Sequence, residues 1–294
     1  MIFQECVDLN KDYCEFFSQS VGVCEIIEPY YVCDSSTREQ FKNLNNNDIK
    51  ILEIGPYSNP YYRGENVKYF DAMTQDEIRF QMINENDPGI KNNIVVSDFE
   101  LAKVPFIDYV NQNGDMSIID DKFDLIFSSH NLEHQIDLVS HLQQMEKLLK
   151  DDGQVIMVVP DKRFCFDHFV PESPLSDILE SYYNKDKLHP LRTILAMVCE
   201  TTHNNPYQHL AGNNGGVKGK DINCYKEALE RYNNSEGNYI NAHRWRFTPT
   251  QFSFVMDSLN KLELINLKIT KLHLTKKNQF EFYVILDKNL NCKG

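Results

Sequence analysis

From Lys50 onward the chain alternates two hydrophobic rhythms. Short apolar runs predict strands at 50–54, 67–71, 93–97, 123–128 and 154–159. In the first, Ile51, Leu52 and Ile54 are apolar on both sides of the strand, which is the pattern of a strand covered on both faces in a parallel sheet. Between the last two runs, Asp137 to Leu149 repeats at helical spacing, with Leu138, Leu142, Met145, Leu148 and Leu149 on one stripe. Asp151-Asp152-Gly153 then predicts a turn into QVIMVVP.

The flanks follow other patterns. Residues 1–45 read as amphipathic helix, broken near Glu28-Pro29 and closed by the polar run Asn45 to Asp48; Val7, Tyr13, Phe16, Phe17 and Val21 suit packing on a body. After Pro160, helical pieces at about 174–183, 188–202 and 221–233 surround the polar stretch AGNNGGVKGKD. This is too long for a simple crossover and predicts an insertion over the strand ends. Thr248-Pro249 caps a helix to about Asn260, and LELINLKITKLHL and QFEFYVILDK then predict a hairpin that closes the sheet with an antiparallel strand.

The chemistry sits where strands end. KILEIGPYSNP climbs through apolar residues to Glu53, breaks at Gly55-Pro56 and continues through turn-forming Ser58, Asn59 and Pro60. FDLIFSSHNLEH repeats that form and ends in His, Asn and Glu. Strand ends of this kind place a ligand at the carboxyl edge of an open α/β sheet. One carboxylate can accept both hydroxyls of a ribose, and adenine needs an acceptor beside an apolar or aromatic wall.

Taken in order, the endings E-x-G-P, YFDAMT, VVSDFE and SSHNLEH resemble the class I S-adenosylmethionine-dependent methyltransferases. The resemblance implies an α/β fold with a mostly parallel, seven-stranded, doubly wound sheet and a C-terminal antiparallel strand. It implies S-adenosylmethionine as cofactor, with Glu53, Gly55 and Pro56 under its methionine part and Asp71 on the ribose hydroxyls. Asp98 and Phe99 would meet the adenine, and Ser128, Ser129 and His130 would line the methyl-donor side. On this reading residues 1–294 form one domain: a helical cap at 1–47, a cofactor-binding core at 48–169, an insertion or substrate lid at 170–245, and a closing helix and hairpin at 246–290. The first turn departs from the family in keeping a single glycine, Gly55. That shortage also argues against a dinucleotide oxidoreductase, whose phosphate turn needs three.

The segments VPDKRFCFD and HRWRFTP narrow the resemblance to a bacterial methyltransferase subgroup associated with glycosyltransferases and surface-polysaccharide synthesis. The expected acceptor is then a small polar molecule, a sugar or nucleotide-linked sugar, methylated on a hydroxyl, with nitrogen as the alternative. Base candidates at the strand ends are His130, Asp161 and His168, the last paired with Asp167. Arg163, His243 and Arg244 are candidate substrate contacts, Arg163 as a bidentate grip on an anionic group. Glu133 and His134 fit a helix start.

Composition removes several classes. A net charge of -13 is unsuited to nucleic acid, where affinity rests on Lys and Arg neutralising phosphates. No apolar stretch is long enough to span a membrane, and the acidic start lacks the features of a secretory signal, so a cytoplasmic protein is expected. The eight cysteines fit no zinc spacing and read as reduced thiols. His130, His134, Asp161, His168 and His243 are too dispersed for a compact ligand motif, so no metal is expected. Two other classes remain open: a non-catalytic nucleoside- or partner-binding protein on this fold, and a metal-dependent nucleotide-sugar-modifying enzyme.

Overall fold

The computed structural model describes residues 31–32, 41, 44, 48–84, 97–217, 219 and 221–288, with only the backbone at Tyr31, Val32 and Asp98. The expectations for residues 1–30 and 93–96, and for most of the helical cap at 1–47, lie outside these.

Among the described residues, eight strands form one sheet: β1 (Tyr31–Val32), β2 (Ile51–Ile54), β3 (Val67–Asp71), β4 (Tyr109–Val110), β5 (Phe123–Ser129), β6 (Leu149–Pro160), β7 (Leu267–His273) and β8 (Glu281–Lys288). Their order is β1-β7-β8-β6-β5-β2-β3-β4. Strands β4, β3, β2, β5 and β6 run parallel to one another, and β8 runs antiparallel to both β6 and β7. This is the expected seven-stranded, mostly parallel sheet with its antiparallel C-terminal strand. The two-residue β1 adds an eighth strand, parallel to β7, at the edge.

Two local expectations change, and one strand is unforeseen. The strand expected at 93–97 lies, apart from Ser97, outside the described residues, while the strand beside β3 is Tyr109–Val110. Its two residues are half-buried and show no apolar run. Tyr31–Val32 is strand where helix was expected, because β7 offers it an open backbone edge. The turn expected at Asp151–Gly153 is a bulge inside β6: Phe123 and Leu125 of β5 face Leu149 and Gln154, so extra residues must loop out.

Eight α-helices are described: α1 (Gln75–Asn84), α2 (Asp98–Leu101), α3 (Leu138–Leu148), α4 (Leu175–Asn184), α5 (Leu191–Leu195), α6 (Pro206–Leu210), α7 (Ile222–Asn234) and α8 (Pro249–Lys261). Helix α3 starts where the Asp137 side chain accepts from Ser140 N, and α8 starts at Thr248 with Pro249 in its first turn. The expected helix at 188–202 is α5 followed by one π-helical turn, Ala196–Glu200, and α6 had no counterpart in the sequence reading. Among the described residues, no helix is long and apolar enough to cross a membrane.

The sheet is buried on both faces. One face gathers Ile51, Val67, Tyr69, Leu125, Phe127, Ile156, Val158, Tyr283 and Ile285 in a single cluster with Ile78 of α1. Each fully buried Leu, Ile or Phe side chain contributes roughly 1.5–3 kcal/mol, so these faces hold the strand ends in place. On helix α3, Leu138, Leu142 and Met145 are fully buried, and so is His141. No hydrogen bond reaches either ring nitrogen of His141, and burial pushes its pKa down to about 4.

An unfolded His141 titrates near the ordinary value of about 6.5. Between pH 6.5 and 4 the unfolded chain therefore binds the proton that the folded chain refuses, and stability falls as pH falls. Urea unfolding at pH 7.5 and 4.5 should show His141→Leu losing about 2–3 kcal/mol less than the wild type across that interval. Equal losses would mean that His141 takes up its proton without unfolding.

Candidate active site at the carboxyl edge of the sheet

The turn after β2 is held by an acid. Glu53 is buried, and its two carboxylate oxygens accept from Tyr61 N at 2.7 Å and Tyr62 N at 2.9 Å. Burial lifts its pKa to about 7 against the pull of those two N–H groups and of Arg63. Glu53 thus folds loop 55–62 back on the strand end. Gly55 sits at φ +66° and donates its N–H to Phe70 O at 2.9 Å; a Cβ there would lie 2.8 Å from Asn131 Nδ2. Pro56 is buried beside it. Tyr57 adopts φ 45° without being glycine. Backbone clamping by Glu53 accounts for a first turn with so few glycines, since it fixes geometry that glycines would otherwise permit.

Asp71 ends β3. It is buried, and its Oδ1 accepts from Met73 N at 3.1 Å. Burial raises its pKa, opposed by the N–H groups of Met73, Ala72 and Tyr57. A carboxylate steadied by backbone at a strand end has the two acceptor oxygens that a ribose diol needs.

Asp98 and Phe99 do not follow a described strand. They open helix α2, and Phe99 is 72% exposed under Lys103. The turn that follows the strand beside β3 is Asn111 to Asp115. Asn111 N donates to Asp71 O at 3.1 Å, and Asp115 caps a short 3-10 helix through Ser117 N. Sequence reasoning missed this turn because its strand is only two residues long.

The end of β5 carries the densest chemistry. Ser128 is buried, with no hydrogen bond at its Oγ, and Ser129 is half-buried. His130 sits at φ 48° and donates its backbone N–H to Val158 O. Its ring Nε2 lies 2.7 Å from Glu281 Oε2, and Tyr283 donates its hydroxyl to the other oxygen of Glu281 at 2.7 Å. Burial opposes charge on His130, but the Glu133 and Glu281 carboxylates outweigh it and lift the pKa to about 9. Positive φ at both Tyr57 and His130 puts two strained non-glycine residues on neighbouring strand ends.

Glu133 is more than a helix start. Its backbone oxygen accepts from both Arg244 N at 2.7 Å and Trp245 N at 3.1 Å, which fastens segment 243–247 to this turn. Its carboxylate is 2% exposed and makes no hydrogen bond. Three imidazole nitrogens surround Oε1: His130 Nδ1 at 3.6 Å, His134 Nε2 at 3.8 Å and His243 Nε2 at 3.8 Å. Burial would raise the pKa of Glu133, yet these rings hold it below the ordinary value. His243 Nδ1 lies 2.6 Å from Asp167 Oδ2, and Asp167 Oδ1 accepts from Arg246 Nε at 3.1 Å.

Several expected roles are corrected here. Asp161 is fully buried and engaged: its oxygens accept from Arg163 Nε at 2.9 Å, Arg163 Nη2 at 2.6 Å and Thr275 Oγ1 at 2.7 Å. The fork expected to grip substrate through Arg163 grips Asp161 instead, and this geometry holds Asp161 as an anchor. His168 does not pair with Asp167. Its Nδ1 meets Arg163 O at 2.7 Å and its ring stacks on His209, while Asp167 turns to His243. Arg244 packs over Trp245 and donates to Asp186 Oδ2 at 2.5 Å, so it ties the return segment to the loop after α4. His243 alone of the substrate-side candidates joins the cluster at β5.

A parallel sheet reversed by one antiparallel strand, with an acid at the end of β3 and a polar cluster at the end of β5, defines the class I methyltransferase architecture. The chain belongs to the methyltransferase-domain family Methyltransf_23, which matches residues 27–212, and S-adenosylmethionine is its cofactor. No curated protein matches the chain. Solved structures similar to it include the CcbJ methyltransferase of Streptomyces caelestis, 8% identical over 85% of this chain and 88% of that one, with a TM-score of 0.40. An S-adenosylmethionine-dependent methyltransferase of Clostridium acetobutylicum is 11% identical over 95% and 99%, with a TM-score of 0.39. The mitomycin 7-O-methyltransferase MmcR is 11% identical over 85% of this chain, with a TM-score of 0.37, and the chain spans 52% of its length. Likenesses this remote carry no argument about substrate.

The anchor role of Asp161 has a measurable consequence. Asp161→Asn should cost about 3 kcal/mol in urea unfolding, because it removes the charge that Arg163 and Thr275 were folded around. A variant of wild-type stability that has lost catalysis alone would restore Asp161 as a base.

Proposed function

We propose that this protein transfers a methyl group from S-adenosylmethionine to a hydroxyl of a small polar acceptor, a sugar or nucleotide-linked sugar of surface-polysaccharide synthesis. The observation that carries the reading is the row of strand ends in which Asp71, Gly55 and the His130–Glu281 pair occupy adjacent positions on one sheet edge. The polysaccharide setting rests on the VPDKRFCFD and HRWRFTP segments.

S-adenosylmethionine supplies an electrophilic methyl group on a sulfonium. In this reading Asp71 holds the ribose hydroxyls, and the turn after β2 lies along the methionine part. The turn from Asn111 to Asp115, bonded to the backbone of Asp71, takes the adenine side in place of Asp98 and Phe99. Ser128, Ser129 and His130 face the donor methyl. His130 receives the acceptor proton in its neutral form, the minority form below its pKa of about 9, so kcat should rise with pH up to about 9. Residues 170–245 close over the edge, exclude water and select the acceptor. Positioning is the larger contribution, roughly 7–11 kcal/mol of the barrier; a base adds roughly 10²–10⁴-fold.

Calorimetric titration with S-adenosylhomocysteine tests the cofactor half of this reading. Micromolar binding is expected for the wild type, with a loss of 30-fold or more in Asp71→Ala, of the order of a lost charge-assisted hydrogen bond pair. His130→Asn should bind the product normally and lower kcat about 10²–10⁴-fold with a nucleotide-sugar acceptor. A folded wild type that binds no S-adenosylhomocysteine would favour the non-catalytic binding protein.

A further inference from the structure

Glu133 poses a physical problem that methyl transfer does not solve. A carboxylate 2% exposed, with neither oxygen hydrogen-bonded, is costly: removing an ionised carboxylate from water costs several kcal/mol even after relaxation. The surrounding rings do not offset this by hydrogen bonding, because their nitrogens stand 3.6–3.8 Å away. That spacing is too long for a hydrogen bond and suits groups that share a third partner between them.

We propose that Glu133, His134 and His243 bind one divalent first-row transition-metal ion, with zinc the best match to the donor set. One ligand atom from each of the three residues lies within 4.8 Å of the others. Ligands about 2.0–2.1 Å from a common tetrahedral ion stand roughly 3.4 Å apart, so each imidazole must approach Glu133 by about half an ångström from its present 3.8 Å, and the two imidazoles, within 4.8 Å of one another, must close by at most about 1.4 Å. Two imidazoles and one carboxylate form a borderline set suited to zinc, iron(II), cobalt or manganese and poorly suited to calcium or magnesium, which take oxygen. Three protein ligands leave one or more positions open, as in sites that accept substrate oxygen.

The surroundings are those of a ligand set. His243 Nδ1 is 2.6 Å from Asp167 Oδ2, and with the proton on Nδ1 its Nε2 lone pair faces Glu133. Asp167 is fixed in turn by Arg246 Nε. This carboxylate–imidazole relay is the outer shell that orients metal-bound histidines. The main chain is fixed too, since Arg244 N and Trp245 N both donate to Glu133 O and hold His243 against the turn that carries Glu133 and His134. Binding rests on these distances alone. A role for the ion in holding the acceptor hydroxyl rests also on the methyltransferase reading, which sets the donor methyl at the end of β5.

The test uses the full-length protein, stripped with a chelator and then titrated with zinc chloride and, separately, cobalt chloride, while S-adenosylhomocysteine binding is followed on the same samples. One equivalent of zinc should bind, and cobalt should give the visible absorption of a low-coordinate nitrogen–oxygen site. His243→Ala and Glu133→Gln should each weaken zinc at least 100-fold. Asp167→Asn should weaken it about 10–100-fold. His168→Ala, outside the cluster, should leave it unchanged. If the ligand variants misfold, X-ray absorption of the zinc-loaded wild type decides, with two imidazoles expected at about 2.0 Å. A wild-type protein that binds S-adenosylhomocysteine but takes up neither ion, or takes up zinc equally well as His243→Ala, overturns the site. Zinc uptake without S-adenosylhomocysteine binding would keep the site and overturn the methyltransferase reading instead.

Discussion

The buried carboxylate of Glu133 is the point on which the site depends. It follows β5 directly, in the turn that the sheet presents at its carboxyl edge, and its backbone oxygen receives two N–H groups from the segment returning out of the insertion. One residue thereby fastens a distant part of the chain to the central strand. Its side chain then sets what can surround it, because an ionised group without hydrogen bonds is tolerated in an interior only beside positive charge. His130, with its pKa lifted to about 9, supplies that charge, and Glu281, Asp167 and Arg246 fix His130 and His243 from behind. The polar centre is a continuous network, so a change at one member is felt at the others.

The hydrophobic sheet makes this possible. Strands β2, β5 and β6 are covered on both sides, and their ends are therefore fixed relative to one another. Strain is tolerated at two of those ends. Tyr57 and His130 hold left-handed backbone that costs of order 1 kcal/mol or more each, and the packing behind them sustains it. Glu53 contributes in the same sense, since it spends a buried acid on folding a loop back instead of contacting solvent. A turn poor in glycine keeps its shape because another residue fixes its geometry.

Much of the fold was legible because parallel strands buried on both faces leave uninterrupted apolar runs, as in ILEI and FDLIF, and because Asp137 and Thr248 announce the helices that follow them. Tyr109–Val110 and Pro206–Leu210 were not, since two residues of strand or five of helix carry no periodicity. At the site, Asp71 and His130 stood out because strand ends in an α/β sheet point at ligands. The contact between Asp161 and Arg163 was not legible for a physical reason: two opposite charges separated by one residue, just after a strand, look alike whether they face a ligand or each other. His168 misled because its neighbour Asp167 finds a better partner 76 residues away in His243. The grouping of Glu133 and His134 with His243 was invisible because it exists only when the insertion folds back, so the spacing that argued against a metal said nothing about distance in space.

The most direct measurement is a crystal structure of the protein with S-adenosylhomocysteine bound. The ribose hydroxyls are expected on the Asp71 carboxylate, the adenine against the turn from Asn111 to Asp115, and the sulfur facing the turn that carries His130 and Glu133. A cofactor seated elsewhere, or a Glu53 carboxylate released from Tyr61 and Tyr62 to hold the ligand directly, would contradict this arrangement.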